Sequence, residues 1–260
     1  MSIERIVPGT VEWEAFYANH ILRYHFALQV LKDSKIHCLL DAACGVGYGS
    51  NFLAKHPAIE KVVGIDKSND ALKIAETNFN AANILYLQDD CHTLQSASQY
   101  GLYDAIVSFE TLEHLPKPTD FLAACFNNLK TAGKIIISTP NKSVSSPQQL
   151  TWEYHEKEYT AIEFYNLIQT TGFKNIQLYG QQFNLKGQIK NEVRGELNKV
   201  FSNPFVRTGI WLQARLKGHK YGPVLKEAVD DFEILKYEKP EDCVLKETDG
   251  PFVLLAVAEK

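Results

Sequence analysis

Acids that close apolar runs, a glycine-broken turn and two histidines are the residues whose types and spacing could do chemistry. Asp41 stands in Leu39-Leu40-Asp41-Ala42-Ala43-Cys44-Gly45-Val46-Gly47-Tyr48-Gly49-Ser50, where a short apolar run breaks into alternating glycines. Gly45 and Gly47 have no Cβ, so the backbone can turn sharply and a ligand can lie against it, while the first N–H groups of a following helix point outward. Such a loop is a floor for a nucleotide-like cofactor. A dinucleotide fingerprint would place a third glycine where Ser50 stands. Asp41 inside the turn would repel a pyrophosphate, yet it suits a ligand carrying an ammonium or sulfonium group. Asp66 closes Lys61-Val62-Val63-Gly64-Ile65-Asp66, roughly twenty residues beyond the first glycine, where a carboxylate can accept both ribose hydroxyls of an adenosine. Ser68 and Asn69 already offer caps for the next helix, which favours the ribose role for Asp66. A third run, Ile84 to Leu87, ends in Gln88-Asp89-Asp90-Cys91.

These residues need elements to position them. Short apolar runs at 36–43, 61–66, 84–91, 103–109, 134–141, 173–180 and 252–258 read as buried strands. Helical spacing returns at Ser50 to Ala54, after Asp70, and over Ala161 to Thr171. The first five strands alternate with helices, which predicts an α/β fold with a seven-stranded, mostly parallel sheet and helices on both faces. Ahead of it, Val11 to Leu31 carries Trp13, Phe16, Tyr17, His20, Ile21, Tyr24 and Leu28 at helical spacing. The expected organisation is an N-terminal helical cap (1–32), a core (33–180 and 251–260) and a basic helical insertion (181–250) before the last strand. In that insertion, lysines and arginines from Lys186 to Lys226 are opposed by Glu192 and Glu196 alone, and acids dominate from Glu227 on.

Several rows resemble one family. Asp41-x-x-Cys44-Gly45-x-Gly47 resembles the first motif of the class I S-adenosylmethionine (SAM) methyltransferases, whose fold is Rossmann-like. Glu110-Thr111-Leu112-Glu113-His114-Leu115-Pro116 and Tyr154-His155-Glu156-Lys157-Glu158-Tyr159-Thr160 resemble stretches of quinone and sugar O-methyltransferases. Glu4-Arg5-x-x-Pro8-Gly9 with His20-x-x-Arg23-Tyr24 is similar to the leader of methyltransferases of bacterial surface-polysaccharide synthesis. The resemblance implies SAM as cofactor and S-adenosylhomocysteine as product. It implies a cofactor site made of Tyr17, Arg23, Asp41, Ala43, Cys44, Gly45, Gly47, Asp66, Lys67, Asp90, Cys91 and Phe109. Within it the family's acid after the third strand takes the adenine amino group, so Asp90 is the matching residue, with Asp89 as the neighbouring competitor. A guanidinium such as Arg23 can pair with the carboxylate of an amino-acid moiety. A hydroxyl acceptor must lose a proton; His114 and His155 are the candidate bases, with Glu113 and Glu110 placed to orient a histidine or the acceptor.

The expected activity is methyl transfer to a hydroxyl, less readily an amino group, of a sugar or sugar nucleotide in glycan synthesis. Two alternatives stand beside it: O-methylation of a quinone-type or natural-product small molecule, and a non-catalytic SAM-binding sensor or scaffold. A net charge of −4 over 260 residues gives no support to nucleic-acid binding. Five cysteines without a Cys-x-x-Cys pair read as reduced thiols of a cytoplasmic protein. No histidine cluster has the spacing of a metal site, so no metal is expected. Peripheral contact with an anionic membrane through 186–226 and a homodimer are the remaining expectations about partners.

Overall fold

The computed structural model describes residues 7–145, 155–184, 188, 231–243 and 251–260. Two compact units are distinguished, one built on Arg23–Gln182 and Ile234–Lys260, the other on Ile6–Leu22 and Phe183–Glu233. The chain order is α1 (Val11–Leu31), β1 (Leu39–Ala42), α2 (Tyr48–Ala54), β2 (Val62–Asp66), α3 (Asn69–Asn78), β3 (Ile84–Gln88), β4 (Tyr103–Phe109), α4 (Pro118–Asn128) and β5 (Leu129–Pro140). It continues with α5 (Lys142–Ser145), α6 (Ala161–Thr170), β6 (Lys174–Phe183), β7 (Phe232–Tyr237) and β8 (Val253–Glu259).

The strands form one sheet in the order β3-β2-β1-β4-β5-β8-β6-β7. β1 to β5 run parallel, and β8 is antiparallel to both β5 and β6. Strands buried on both faces need apolar residues on both, and β1 and β2 are buried at every position. Leu40, Ala42, Val63, Ile65, Ile106, Ile135 and Ile137 share a cluster with Phe121 and Leu122 of α4 and with Phe164 and Ile168 of α6. The alternate residues Asp41 and Gly64 are register partners on the opposite face. There Gly64 lets Ser50 of α2 and Tyr86 of β3 come within 2.9 Å of where a Cβ would stand. Helices therefore cover both faces, as expected.

Helix ends follow local chemistry. α3 is capped by Ser68, which accepts from the Ala71 N–H, and α6 begins in a capping box of Thr160 with Glu163. Among the described residues no helix is long and apolar enough to cross a membrane.

Among the described residues the sheet has eight strands, not the expected seven. The additional one, β7, falls inside the 181–250 segment that was expected to be helical. Its short run, Phe232-Glu233-Ile234-Leu235-Lys236-Tyr237, takes the outer edge beside β6, where backbone groups would otherwise lack ladder partners. Most of the basic segment, including 189–226, lies outside the described residues, as do Glu4 and Arg5 of the leader. In the second unit Trp13 stacks on Tyr17 at 4.2 Å between ring centroids, and Phe183 stacks on Phe232 at 4.8 Å.

Candidate active site

β1 is flanked by β2 on one side and β4 on the other, so connections leave in opposite directions and a crevice opens at the carboxyl ends of these strands. The glycine loop lies there. Ala43, Gly45 and Gly47 all have positive φ, at 63°, 56° and 86°. A Cβ on Gly45 would meet nothing within 4 Å, whereas one on Gly47 would press on Ala75 Cβ at 2.5 Å and the Tyr86 hydroxyl at 2.6 Å. Gly45 thus borders open space, and Gly47 is where the loop locks against α3 and β3.

Asp41 is fully buried behind this loop. The Ser50 hydroxyl donates to its Oδ2 at 2.6 Å and the Tyr24 hydroxyl to its Oδ1 at 3.5 Å. Burial pushes the Asp41 carboxyl up to about 7, against the pull of both hydroxyls. Ser50 in place of a third glycine is therefore a strap that ties α2 to β1.

Asp66 accepts the Gly45 N–H at 3.0 Å and the Ser68 N–H at 2.8 Å, and so joins the glycine loop to the end of β2. The Asp89 N–H donates to the Asp66 carbonyl at 3.2 Å, which brings the end of β3 beside it. The two neighbouring acids then diverge. Asp89 is buried and accepts the N–H groups of Ala97 and Asp90, each at 2.8 Å. The Asp90 side chain is 65 % exposed and accepts the His92 N–H at 2.8 Å, with His92 Nδ1 2.7 Å from the same oxygen. These His92 bonds hold the Asp90 carboxyl below its ordinary value. Lys67 is exposed and Cys91 is buried, with burial pushing the Cys91 thiol up to about 12. The Cys44 N–H donates to the Ile65 carbonyl at 2.8 Å.

Phe109, at the end of β4, stands edge-on to Tyr24 at 4.9 Å, so Tyr24 touches both Phe109 and Asp41. Arg23 is 1 % exposed; its Nε donates to Gln181 Oε1 at 3.0 Å and its Nη2 lies 3.8 Å from Glu110 Oε2. Tyr17, expected beside the cofactor, belongs to the second unit, where partial burial raises its hydroxyl.

The rim beyond β4 is built from side chains. Glu110 sits at φ 52°, held by the Ser138 hydroxyl at 2.8 Å. Glu113 is buried and accepts from the Thr139 hydroxyl at 3.1 Å; burial and the Glu110 carboxylate push it well above the usual carboxylate range. The His114 and His155 rings meet edge to face at 4.9 Å, and His114 Nε2 lies 3.8 Å from Glu113 Oε1. His155 Nδ1 is 2.9 Å from Oε1 of Glu158, a buried carboxylate. The main chain fixes this assembly, because the Glu113 carbonyl accepts the N–H groups of Glu156 at 2.7 Å and Lys157 at 3.2 Å. A histidine whose Nδ1 is held by a carboxylate is fixed in tautomer, which leaves Nε2 as the nitrogen that can accept a proton.

Sequence reasoning left Tyr24, Ser50, Glu158, Thr139, Ser138 and Gln181 without site roles. Ser50 had a visible signal, its place in the glycine fingerprint, and Glu158 had another, three residues after His155. His114 and His155, both expected at the rim, come together there: side-chain ligand atoms of Glu113, His114 and His155 all lie within 4.8 Å of one another.

A family model described as a methyltransferase domain matches residues 15–178. A probable S-adenosylmethionine-dependent methyltransferase of Mycolicibacterium smegmatis is 28 % identical over 173 residues, which is 66 % of this chain and 64 % of that protein. The chain thus spans less than two thirds of that relative's length. A ubiquinone biosynthesis O-methyltransferase of Idiomarina loihiensis is 27 % identical over 180 residues, 63 % of this chain and 73 % of that one. In fold, a SAM-dependent methyltransferase from Archaeoglobus fulgidus aligns with a TM-score of 0.59 at 16 % identity, covering 96 % of this chain and 97 % of that chain.

Proposed function

The chain belongs to the SAM-dependent methyltransferase family, and we propose that it moves the methyl group of SAM to a hydroxyl of a small-molecule acceptor. The residues at the crevice fit the cofactor: open space beside Gly45 for a ligand against the backbone, and the Asp66 and Asp90 carboxylates at adjoining strand ends. Asp66 would accept the ribose hydroxyls and Asp90 the adenine amino group, with Ala43, Cys44, Lys67, Cys91 and Phe109 around them. When bound, SAM supplies an electrophilic methyl group on a sulfonium. The chain's own work is alignment of acceptor oxygen, methyl carbon and sulfur in line, and removal of the acceptor proton.

The observation that carries the choice of a hydroxyl acceptor is the His155–Glu158 pair at the rim, 2.9 Å apart. His155 would take the proton at Nε2 while Glu158 stabilises the resulting imidazolium, and His114 stands next to it. A phenolic hydroxyl of a quinone-type precursor is favoured by the similarity to the ubiquinone biosynthesis O-methyltransferase of Idiomarina. A sugar or sugar nucleotide is the second reading, favoured by the leader and the basic stretch 186–226 of the sequence.

Labelled-methyl transfer tested over phenolic precursors and nucleotide-sugars separates the two acceptors. SAM binding in calorimetry with no transfer to either class would turn the reading toward a SAM-binding sensor, and tight NAD binding in place of SAM would overturn it. Asp66→Asn is expected to weaken SAM binding about 10- to 100-fold, as one charge-assisted pair is lost; an unchanged affinity would remove Asp66 from the ribose.

A further inference from the structure

Asp41 was expected among the cofactor's contacts, yet its side chain is fully buried behind the glycine loop, whose Gly45 borders the open space. Its two side-chain partners are the Ser50 and Tyr24 hydroxyls. A hydroxyl can donate or accept, so a neutral amide at this position would satisfy the same pair. Packing alone therefore does not call for an ionisable group, and burying one is costly. We propose that Asp41 distinguishes SAM from S-adenosylhomocysteine by its charge, giving up a proton when the sulfonium is bound and taking one back from solvent when the thioether is bound.

Groups from every neighbouring element face this carboxyl. The Tyr24 hydroxyl comes from α1, with Tyr48 and the Arg23 guanidinium acting on that tyrosine; Ser50 comes from α2, Asp66 from β2, Tyr86 from β3 and Cys44 from the loop itself. Burial raises Tyr24, Tyr86 and Cys44, so all three stay neutral between pH 5 and 8. Burial also raises Asp41, with Asp66 adding in the same direction and the two hydroxyls opposing, to about 7. Its protonation is thus poised to answer a change in nearby charge.

The inference rests on SAM as the cofactor of the proposed function. SAM and S-adenosylhomocysteine share the adenosine and the amino-acid end and differ by one methyl group and one positive charge. In a low-dielectric interior that charge acts without direct contact, and an opposite charge nearby lowers a carboxyl's pKa by about 1–3. Below the lowered value Asp41 keeps its proton with either ligand. Above about 7 it is ionised even in the free chain. Between these limits the preference for SAM should rise with pH, and above them it should stay level.

The test is calorimetry of the full chain with SAM and with S-adenosylhomocysteine from pH 5.5 to 7, in two buffers of different ionisation enthalpy so that exchanged protons are counted. At pH 6, SAM should release about 0.4–0.8 of a proton more than S-adenosylhomocysteine, and the ratio of the two affinities should rise about 5- to 10-fold across the range. Any contribution from His92, beside Asp90, is common to both ligands and cancels in the ratio. Asp41→Asn should still bind SAM but lose both the extra proton and the slope. Ser50→Ala removes a hydroxyl that holds the carboxyl down, so it should keep the slope and move it to higher pH; this variant decides the matter if Asp41→Asn does not fold. Equal proton release by the two ligands, a flat ratio in the wild type, a slope that survives in Asp41→Asn, or a slope that Ser50→Ala leaves in place overturns the inference while SAM binding stands. Failure to bind SAM at any pH removes the proposed function and this inference with it.

Discussion

The two ends of the crevice are built differently. At the glycine loop the carboxylate of Asp66 is held by main-chain N–H groups of Gly45 and Ser68, and the loop's shape comes from positive φ at Gly45 and Gly47. At the rim, Glu113, His114, Thr139, His155 and Glu158 come from three separate stretches of chain and meet through side chains, with the Glu113 carbonyl tying two of those stretches together. Backbone-held groups depend on local turns and cannot shift without breaking the fold. Side-chain-held groups can be exchanged one at a time with the sheet intact. On the proposed reading, the first design would keep a common cofactor and the second would leave the acceptor open to change.

If that contrast is right, the most damaging single substitution lies in the loop, at the glycine that packs rather than the glycine that faces space. Gly47→Val would add branched atoms against Ala75 and Tyr86 at a φ of 86° and should cost about 3 kcal/mol or more. Gly45→Ala, at φ 56° with nothing within 4 Å, should cost about 1 kcal/mol from backbone strain alone. Urea unfolding of the two variants checks this. Equal losses would mean that the loop is not locked at Gly47.

Next in size is the pH dependence rooted in Asp41. Its folded value is raised to about 7 from an ordinary 3.8, so between these limits the folded chain keeps a proton that the unfolded chain releases. Stability should fall as pH rises through that window and level off above it. Asp41→Asn removes the titration, and the difference in unfolding free energy between variant and wild type should move by about 2–4 kcal/mol in the variant's favour from pH 4 to pH 8. A constant difference would show that Ser50 and Tyr24 keep the carboxylate charged throughout.

The same contrast explains what could be read from the sequence. Asp41, Gly45, Gly47 and Asp66 are neighbours along the chain or one β-α step apart, so spacing alone exposes them. The parallel core followed from short apolar runs alternating with helical stretches. The rim joins Glu113 to Thr139 and His114 to His155, pairings that exist only after β4, β5 and the chain leading to α6 have come together. β7 was hidden for another reason: its six residues carry two charged side chains inside a charged segment, and it is the vacant edge of β6 that makes them a strand.

At the rim, Glu158→Gln should lower kcat by about 10- to 100-fold, with SAM affinity unchanged, if Glu158 acts through His155 at the acceptor end as proposed. The pH profile of kcat should move with it, since the amide cannot stabilise an imidazolium. A loss confined to SAM affinity would place Glu158 in the cofactor half and erase the division.

The smallest effect is expected where the two designs meet, at the paired acids after β3. Asp89 is backbone-bound, holding the N–H groups of Ala97 and Asp90, so Asp89→Ala should lower the unfolding midpoint by the equivalent of about 1–3 kcal/mol. Asp90 faces solvent with His92 as its partner, so Asp90→Ala should leave the midpoint in place and weaken SAM binding by about three- to tenfold. Adenosine, which keeps the adenine and ribose, should lose the same factor, while homocysteine competition should not change. If Asp89→Ala weakens adenosine binding in the folded protein and Asp90→Ala does not, the adenine contact belongs to the buried acid, and the exposed one serves only to place His92.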